Sequence, residues 1–104
     1  MMTESRVEIG PGPEPVVRAT GELDLSMVAE LRAALDQVIA GADGVALIRL
    51  ADVTFIDSSC LGVLVGSLRQ AGERGVELVL VEPSGPVRRL LDLTGVGAHF
   101  TIRD

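Results

Sequence analysis

Two short apolar runs, VALIRL over 45–50 and VELVLV over 76–81, constrain the fold of this chain more than any other feature. Both have the length of a strand and hardly alternate with polar residues, which is typical of strands buried on both faces. The segment between them is long enough for a helix and ends near Gly72 and Gly75. A strand, a helix and a strand in this order predict a parallel pair in a sheet covered by helices.

The first part of the chain has the pattern of a hairpin. Strand-like segments over 6–9 and 16–20 flank the run GPGPEP over 10–15, which predicts a turn or loop. Proline is tolerated at a sheet edge, so we expect this antiparallel hairpin at an edge of the sheet. The residues over 21–24 then break the strand pattern.

The remaining elements alternate between helices and strands. Apolar residues at helical spacing, from Val28 to Val38, predict an amphipathic helix that ends at Gly41. Pro86 suits a first helical turn. After the hairpin we therefore expect a helix, strand 45–50, a second helix, strand 76–81, a helix over 86–93 and a last strand over 99–102. The predicted fold class is α/β, a single domain over 1–104 with a mixed, mostly parallel sheet, an N-terminal antiparallel hairpin and about three to four helices.

Composition excludes several classes of function. The net charge is −6 and aromatic residues make up 2% of the chain, so it lacks the basic patch and the stacking residues that nucleic-acid binding needs. No apolar run approaches the roughly 20 residues that span a bilayer, and the N-terminus has no signal pattern. We expect a cytoplasmic protein with no direct nucleic-acid or membrane partner. The single cysteine, Cys60, cannot form an internal disulfide.

Three polar residues, Asp57, Ser58 and Ser59, lie between the strand that ends near Phe55 and the helix that follows. One of them is needed to cap the helix, because Asp and Ser accept hydrogen bonds from its free amides. The other two remain unexplained by capping. A helix N-terminus also holds anions, so this segment is a candidate site for a phosphate, either bound or attached to a serine.

The chain lacks the residues that a catalytic function of this segment would require. A serine hydrolase needs a base and a nucleophile elbow, but the flanking glycines are missing and His99 is the sole histidine. A phosphoryl-accepting Asp57 of the receiver-domain type would need a lysine, and the chain has none. Neither GxGxxG nor GK[ST] follows any strand, which argues against a dinucleotide or P-loop site. We expect no catalysis, no cofactor and no metal.

The helix after this segment is apolar over most of its surface. Its predicted inward face comprises Leu61, Leu64, Val65 and Leu68, with a neighbouring stripe of Cys60, Val63 and Ser67. Gly62 and Gly66 leave one flank without side chains, where another backbone can approach. We expect these glycines to pack closely on the sheet within the domain.

Three stretches resemble the STAS-domain family, and specifically its anti-sigma-factor antagonists: TGELD over 20–24, FIDSSCLGVLV over 55–65 and VRRLLDLTGV over 87–96. The resemblance implies the STAS fold. It also implies that Ser58 is phosphorylated by a partner anti-sigma factor with serine kinase activity and dephosphorylated by a phosphatase. The unphosphorylated protein would bind the anti-sigma factor and so free a sigma factor. The implied partner surface comprises Asp24, Asp57, Ser58, Ser59 and Leu61.

The chain departs from the family pattern at Cys60, where glycine is usual. Cysteine is small enough for an early helical position but could narrow the approach to Ser58. A thiol at a helix N-terminus can have a lowered pKa, although a lone cysteine is more often a small packed hydrophobe, and we favour packing. The alternative function is a STAS scaffold or adaptor with another protein, nucleotide or lipid partner, in which Ser58 would be only a cap.

Overall fold

The computed structural model describes residues 4–104, and its elements follow the predicted order. The strands are β1 (Arg6–Gly10), β2 (Val16–Leu23), β3 (Val45–Ile56), β4 (Glu77–Val81) and β5 (Thr101–Arg103). The helices are α1 (Val28–Gly41), α2 (Ser58–Glu73) and α3 (Gly85–Thr94), with two 3₁₀ turns at Leu25–Met27 and Val96–His99.

All five strands form one sheet in the order β1-β2-β3-β4-β5. β1 pairs with β2 in antiparallel fashion, and the other three neighbouring pairs are parallel. The hairpin lies at the edge of the sheet, as its prolines predicted. The mixed, mostly parallel α/β architecture is confirmed, and the three α-helices agree with the predicted three to four.

β3 is twice as long as predicted, because it continues from Leu50 to Ile56. Its pairing with β2 shifts between Arg18 and Thr20 and again between Gly21 and Glu22. Each shift places one extra residue on β3, which turns the following side chains to the other face. The buried positions are therefore two apart up to Leu50 and three apart afterwards, at Val53 and Ile56. This change of period concealed the second half of the strand.

The prediction that 21–24 breaks the second strand was also wrong, since β2 runs through Leu23. Gly21 lies in the strand with a φ of +83°, a conformation that L-residues rarely adopt. A Cβ at this position would lie 3.0 Å from the Cα of Ser5 and 3.1 Å from the carbonyl oxygen of Glu4. The glycine thus accommodates a bulge and a close backbone crossing instead of ending the strand.

The core lies between the sheet and the helices. One face of β3, with Ala46, Ile48 and Leu50, joins a single apolar cluster with residues from all three helices. The helical contributors include Leu31, Leu35, Leu64, Val87 and Leu91. Full burial of one such leucine contributes about 1.5–3 kcal/mol, so these helices are held mainly by packing. The cluster fixes the start of α2 against the ends of β2 and β3.

The C-terminal part differs from the prediction in its last strand. α3 ends at Thr94, and Gly95 caps it in a left-handed conformation with a φ of +74°. His99, predicted to open the strand, instead ends the turn Val96–His99, and β5 comprises Thr101–Arg103. β5 pairs in parallel with β4, with Leu80 opposite Ile102. Within residues 4–104, the helices are too short or too polar to cross a membrane.

Candidate functional site

The candidate site lies where β2 and β3 end side by side. Asp24 follows β2 and Asp57 follows β3, and both strands run in the same direction. The amide of Asp57 donates a hydrogen bond of 3.1 Å to the carbonyl oxygen of Leu23. The structure thus brings together two acidic residues that are 33 positions apart in the sequence.

Asp57 caps α2. Its Oδ1 accepts hydrogen bonds from the amides of Ser59 at 3.0 Å and Cys60 at 3.2 Å. The same oxygen accepts a bond of 2.5 Å from the hydroxyl of Ser59. The hydrogen bond from the Ser59 hydroxyl is the main cause of the lowered pKa of Asp57, and hydrogen bonds from backbone amides, including that of Leu25, lower it further. Burial raises this pKa, but by less than the Ser59 hydroxyl lowers it. A fixed negative charge therefore sits at the N-terminus of α2.

The two serines differ in environment. Ser59 is half-buried and donates its hydroxyl to Asp57, which gives it a structural role. Ser58 is the first residue of α2 and is exposed. Its hydroxyl makes no side-chain hydrogen bond with residues 4–104. Ser58 is thus the hydroxyl that an external reagent can reach, and the helix N-terminus beside it can hold an anion.

The turn after β2 repeats this capping arrangement. Asp24 Oδ1 accepts hydrogen bonds from the Ser26 amide at 2.9 Å and the Ser26 hydroxyl at 2.5 Å. Leu25, between them, is 74% exposed, whereas Met27 anchors the turn in the core. The structure therefore presents an apolar side chain beside two carboxylates.

Cys60 connects the two turns. Its thiol donates a hydrogen bond of 3.2 Å to the carbonyl oxygen of Asp24, and its side chain is fully buried. Burial raises the pKa of the thiol, and the charge of Asp57 raises it further. The packed role that we favoured is confirmed, and the lowered thiol pKa that we weighed against it is wrong. Because Cys60 has no exposed surface, it does not obstruct the approach to Ser58.

Leu61 is buried, with 6% of its surface exposed. It belongs to the core cluster, so any effect on a partner would act mainly through the position of α2. The rest of the predicted inward face is only partly correct, because Val65 and Leu68 are half-buried. The buried residues of α2 are Cys60, Leu61, Val63, Leu64, Ser67 and Ala71.

The expected packing of Gly62 and Gly66 on the sheet is wrong. Both glycines are exposed, and a Cβ added to either would meet no atom within 4 Å. They lie on the outer flank of α2, where they face a groove next to α1.

Sequence reasoning missed the exposed apolar residues near the site. Leu25 is one, and Phe55 and Leu93 are 48% and 77% exposed. Phe55 and Leu93 line one depression beside α3. A leucine between two polar residues, as in Asp24-Leu25-Ser26, was the available signal for Leu25. For Phe55 there was none, because its orientation depends on the bulges in β3.

The family model described as "Mlab, STAS domain" matches residues 10–103. An anti-sigma F factor antagonist from Paenibacillus polymyxa is 33% identical over 90 residues, which are 86% of this chain and 77% of the relative. An anti-sigma-B factor antagonist from Staphylococcus aureus is 31% identical over 80 residues, which are 77% of this chain and 74% of the relative.

Solved structures agree with these relatives. The unphosphorylated form of the anti-sigma factor antagonist SpoIIAA superposes with a TM-score of 0.76 at 25% identity. The superposed region covers 97% of this chain and 89% of the SpoIIAA chain. The phosphorylated form of the Bacillus cell fate determinant SpoIIAA gives a TM-score of 0.71 at 25% identity, with coverages of 97% and 92%.

Proposed function

This chain belongs to the STAS-domain family and, within it, to the anti-sigma-factor antagonists, and from this we propose that phosphorylation of Ser58 controls its binding to a kinase anti-sigma factor. In the unphosphorylated state it binds the anti-sigma factor and frees a sigma factor for transcription. The partner kinase ends this state, and a phosphatase restores it. The protein itself acts as a binding partner and substrate in the cytoplasm and not as an enzyme.

The observation that carries this proposal is the contrast between the two serines. Ser58 is exposed at the first position of α2, whereas the hydroxyl of Ser59 is held by Asp57. A kinase needs a hydroxyl that can leave its own environment and enter a foreign active site. Ser58 meets this requirement without breaking a cap.

The new phosphate would add about −1.5 to −2 charges at the helix N-terminus, where negative charge is tolerated or favourable. We therefore expect the fold to persist. At an interface the same group lies next to the ionised Asp57, and leaving it unpaired there costs several kcal/mol. The switch is thus local and electrostatic.

The proposed partner surface comprises Asp24, Asp57 and Ser58, with Ser59 and Leu61 behind them and the exposed Leu25 added by its geometry. Its carboxylates suit a partner with basic groups, and Leu25 supplies apolar contact. Because Ser59 and Leu61 are largely engaged within the domain, we expect them to support the surface rather than form its centre.

Incubation with a kinase anti-sigma factor from the same organism and ATP, followed by mass spectrometry, tests the assignment. We expect one phosphate on the wild type, none on Ser58→Ala, and one on the matched control Ser59→Ala. Ser58→Ala should still bind the anti-sigma factor. Phosphate mapped to Ser59, or its uptake by Ser58→Ala, would refute the assignment.

A STAS adaptor with an apolar or lipid-like ligand is the second candidate. A cleft of about 280 Å³ between α2 and the turn Val96–His99 favours it, because Val65, Leu68, Val96 and Phe100 line the cleft. Binding of a lipid at this cleft, together with no phosphate uptake at Ser58, would favour the adaptor.

A further inference from the structure

Ser5 lies before β1 and contacts the last residues of β2. The antiparallel ladder of β1 and β2 ends at the pair of Arg6 and Thr20, whereas β2 continues to Leu23. Beyond this pair, the hydroxyl of Ser5 accepts a hydrogen bond of 3.0 Å from the amide of Glu22. A side chain therefore adds one more contact to this edge of β2 where its pairing with β1 has stopped.

Gly21 allows this contact. A Cβ at Gly21 would lie 3.0 Å from the Cα of Ser5 and 3.1 Å from the carbonyl oxygen of Glu4, so a side chain would press this backbone away from β2. The pairing of β2 with β3 shifts directly after the glycine, between Gly21 and Glu22. The glycine and the serine contact together hold the N-terminal segment against β2 at the point where its pairing with β3 is irregular.

The residues that follow this contact belong to the candidate site. The carbonyl oxygen of Leu23 accepts a hydrogen bond of 3.1 Å from the amide of Asp57. The carbonyl oxygen of Asp24 accepts hydrogen bonds from the amide of Met27 at 2.9 Å and from the thiol of Cys60 at 3.2 Å. These bonds join the end of β2 to the start of α2, so a displacement of β2 at the serine contact would reach both turns of the site.

The exposed part of the turn after β2 has few contacts of its own. Leu23 and Met27 are buried on either side of it, so the fold does not depend on Ser5. Between them, the carboxylate of Asp24 bonds only the amide and the hydroxyl of Ser26 in the same turn, and Leu25 is 74% exposed. The position of these side chains therefore depends on how the backbone of β2 is held.

We propose that Ser5 is a positioning residue for the partner surface and acts through the amide of Glu22 on Asp24 and Leu25. This inference rests on the proposed function, which assigns that surface to a kinase anti-sigma factor. Loss of one exposed hydrogen bond lets the turn leave its position for part of the time without unfolding the domain. A partner then binds only the fraction of molecules with the turn in place, and the apparent dissociation constant rises accordingly.

Amide exchange of the free protein tests the positioning without a partner. In Ser5→Ala we expect exchange about three- to tenfold faster at the amides of Glu22, Asp57 and Met27. Ser5→Thr keeps the hydroxyl and should match the wild type. Thr94→Ala is the matched control, because it removes an exposed hydroxyl that bonds backbone carbonyls within α3, and it should leave these three amides unchanged. Faster exchange at Glu22 alone would limit Ser5 to a local contact and overturn the proposal.

Titration with the kinase anti-sigma factor tests the effect on the partner. Ser5→Ala should bind about three- to fivefold more weakly than the wild type, whereas Ser5→Thr and Thr94→Ala should keep the wild-type affinity. Equal affinities of Ser5→Ala and the wild type would overturn the proposal and leave the proposed function intact. If the wild type itself does not bind, the proposed function fails, and the exchange measurement alone decides whether Ser5 positions the turn.

Discussion

Replacement of Asp57 by alanine tests whether the cap at the start of α2 stabilises the fold. The variant loses the acceptor of two amide hydrogen bonds, at 3.0 and 3.2 Å, and of the Ser59 hydroxyl bond. Loss of a cap costs typically about 1 kcal/mol and up to about 2. Because the acceptor is charged and the site is half-buried, we expect about 1–2 kcal/mol, or roughly 5–10 °C in Tm for a domain of this size.

The effect of this substitution should depend on pH. The pKa of Asp57 is lowered in the folded protein, chiefly by the Ser59 hydroxyl, so the folded state favours the carboxylate more than the unfolded state does. That part of the stabilisation is complete above the unfolded pKa of about 4 and is lost as the pH falls through the folded value. The difference between wild type and Asp57→Ala should therefore shrink below about pH 4.

Urea unfolding at pH 7 and at lower pH measures both effects. Asp43→Ala is the matched control, because Asp43 is exposed in the loop before β3 and has no side-chain hydrogen bond within residues 4–104. A loss for Asp57→Ala no larger than that of the control would show that the cap contributes nothing. A difference that grows on acidification would contradict the assigned direction of the pKa.

Gly66→Ala should raise the free energy of unfolding by about 0.5–1 kcal/mol, because Gly66 lies inside α2 with space for a Cβ. Gly95→Ala should lower the free energy of unfolding, because Gly95 has a φ of +74°. Urea unfolding compares the two variants. Cys60 should react with a thiol reagent only as fast as the protein opens, because its side chain is buried and its pKa is raised; rapid reaction in native buffer would contradict this. Asp24→Ala should weaken binding of the anti-sigma factor in a titration. It should lower the free energy of unfolding by less than about 1 kcal/mol, since it removes only an exposed turn cap. An unchanged affinity would show that Asp24 has a capping role alone.

The order of elements was predictable from sequence because each strand or helix carries its own periodicity. The end of β3 was not, because the bulges that carry it to Ile56 arise from pairing with β2 and not from local pattern. That one of Asp57, Ser58 and Ser59 caps α2 followed from their position before an apolar helix, and the structure assigns this role to Asp57. The bond between the Cys60 thiol and the carbonyl of Asp24 could not be predicted, since it joins residues 36 positions apart.

Packing limited the prediction of the site in the same way. The apolar pattern of α2 placed Leu61 inside but could not decide whether α1 would cover Gly62 and Gly66. The structure leaves that flank open, so the expected close packing of these two glycines was wrong. Likewise, Leu25 is an apolar residue that the sequence alone would place in the core. The turn after β2 directs its side chain to solvent.

We propose that phosphate on Ser58 switches partner binding without unfolding the domain. The most direct measurement is the affinity of the phosphorylated and unmodified proteins for the kinase anti-sigma factor, with amide exchange recorded on both forms. A penalty of about 3 kcal/mol would weaken binding roughly a hundredfold. We predict this hundredfold loss of affinity together with unchanged amide-exchange protection of the core strands. Equal affinities, or a loss of affinity accompanied by global loss of protection, would contradict a local electrostatic switch.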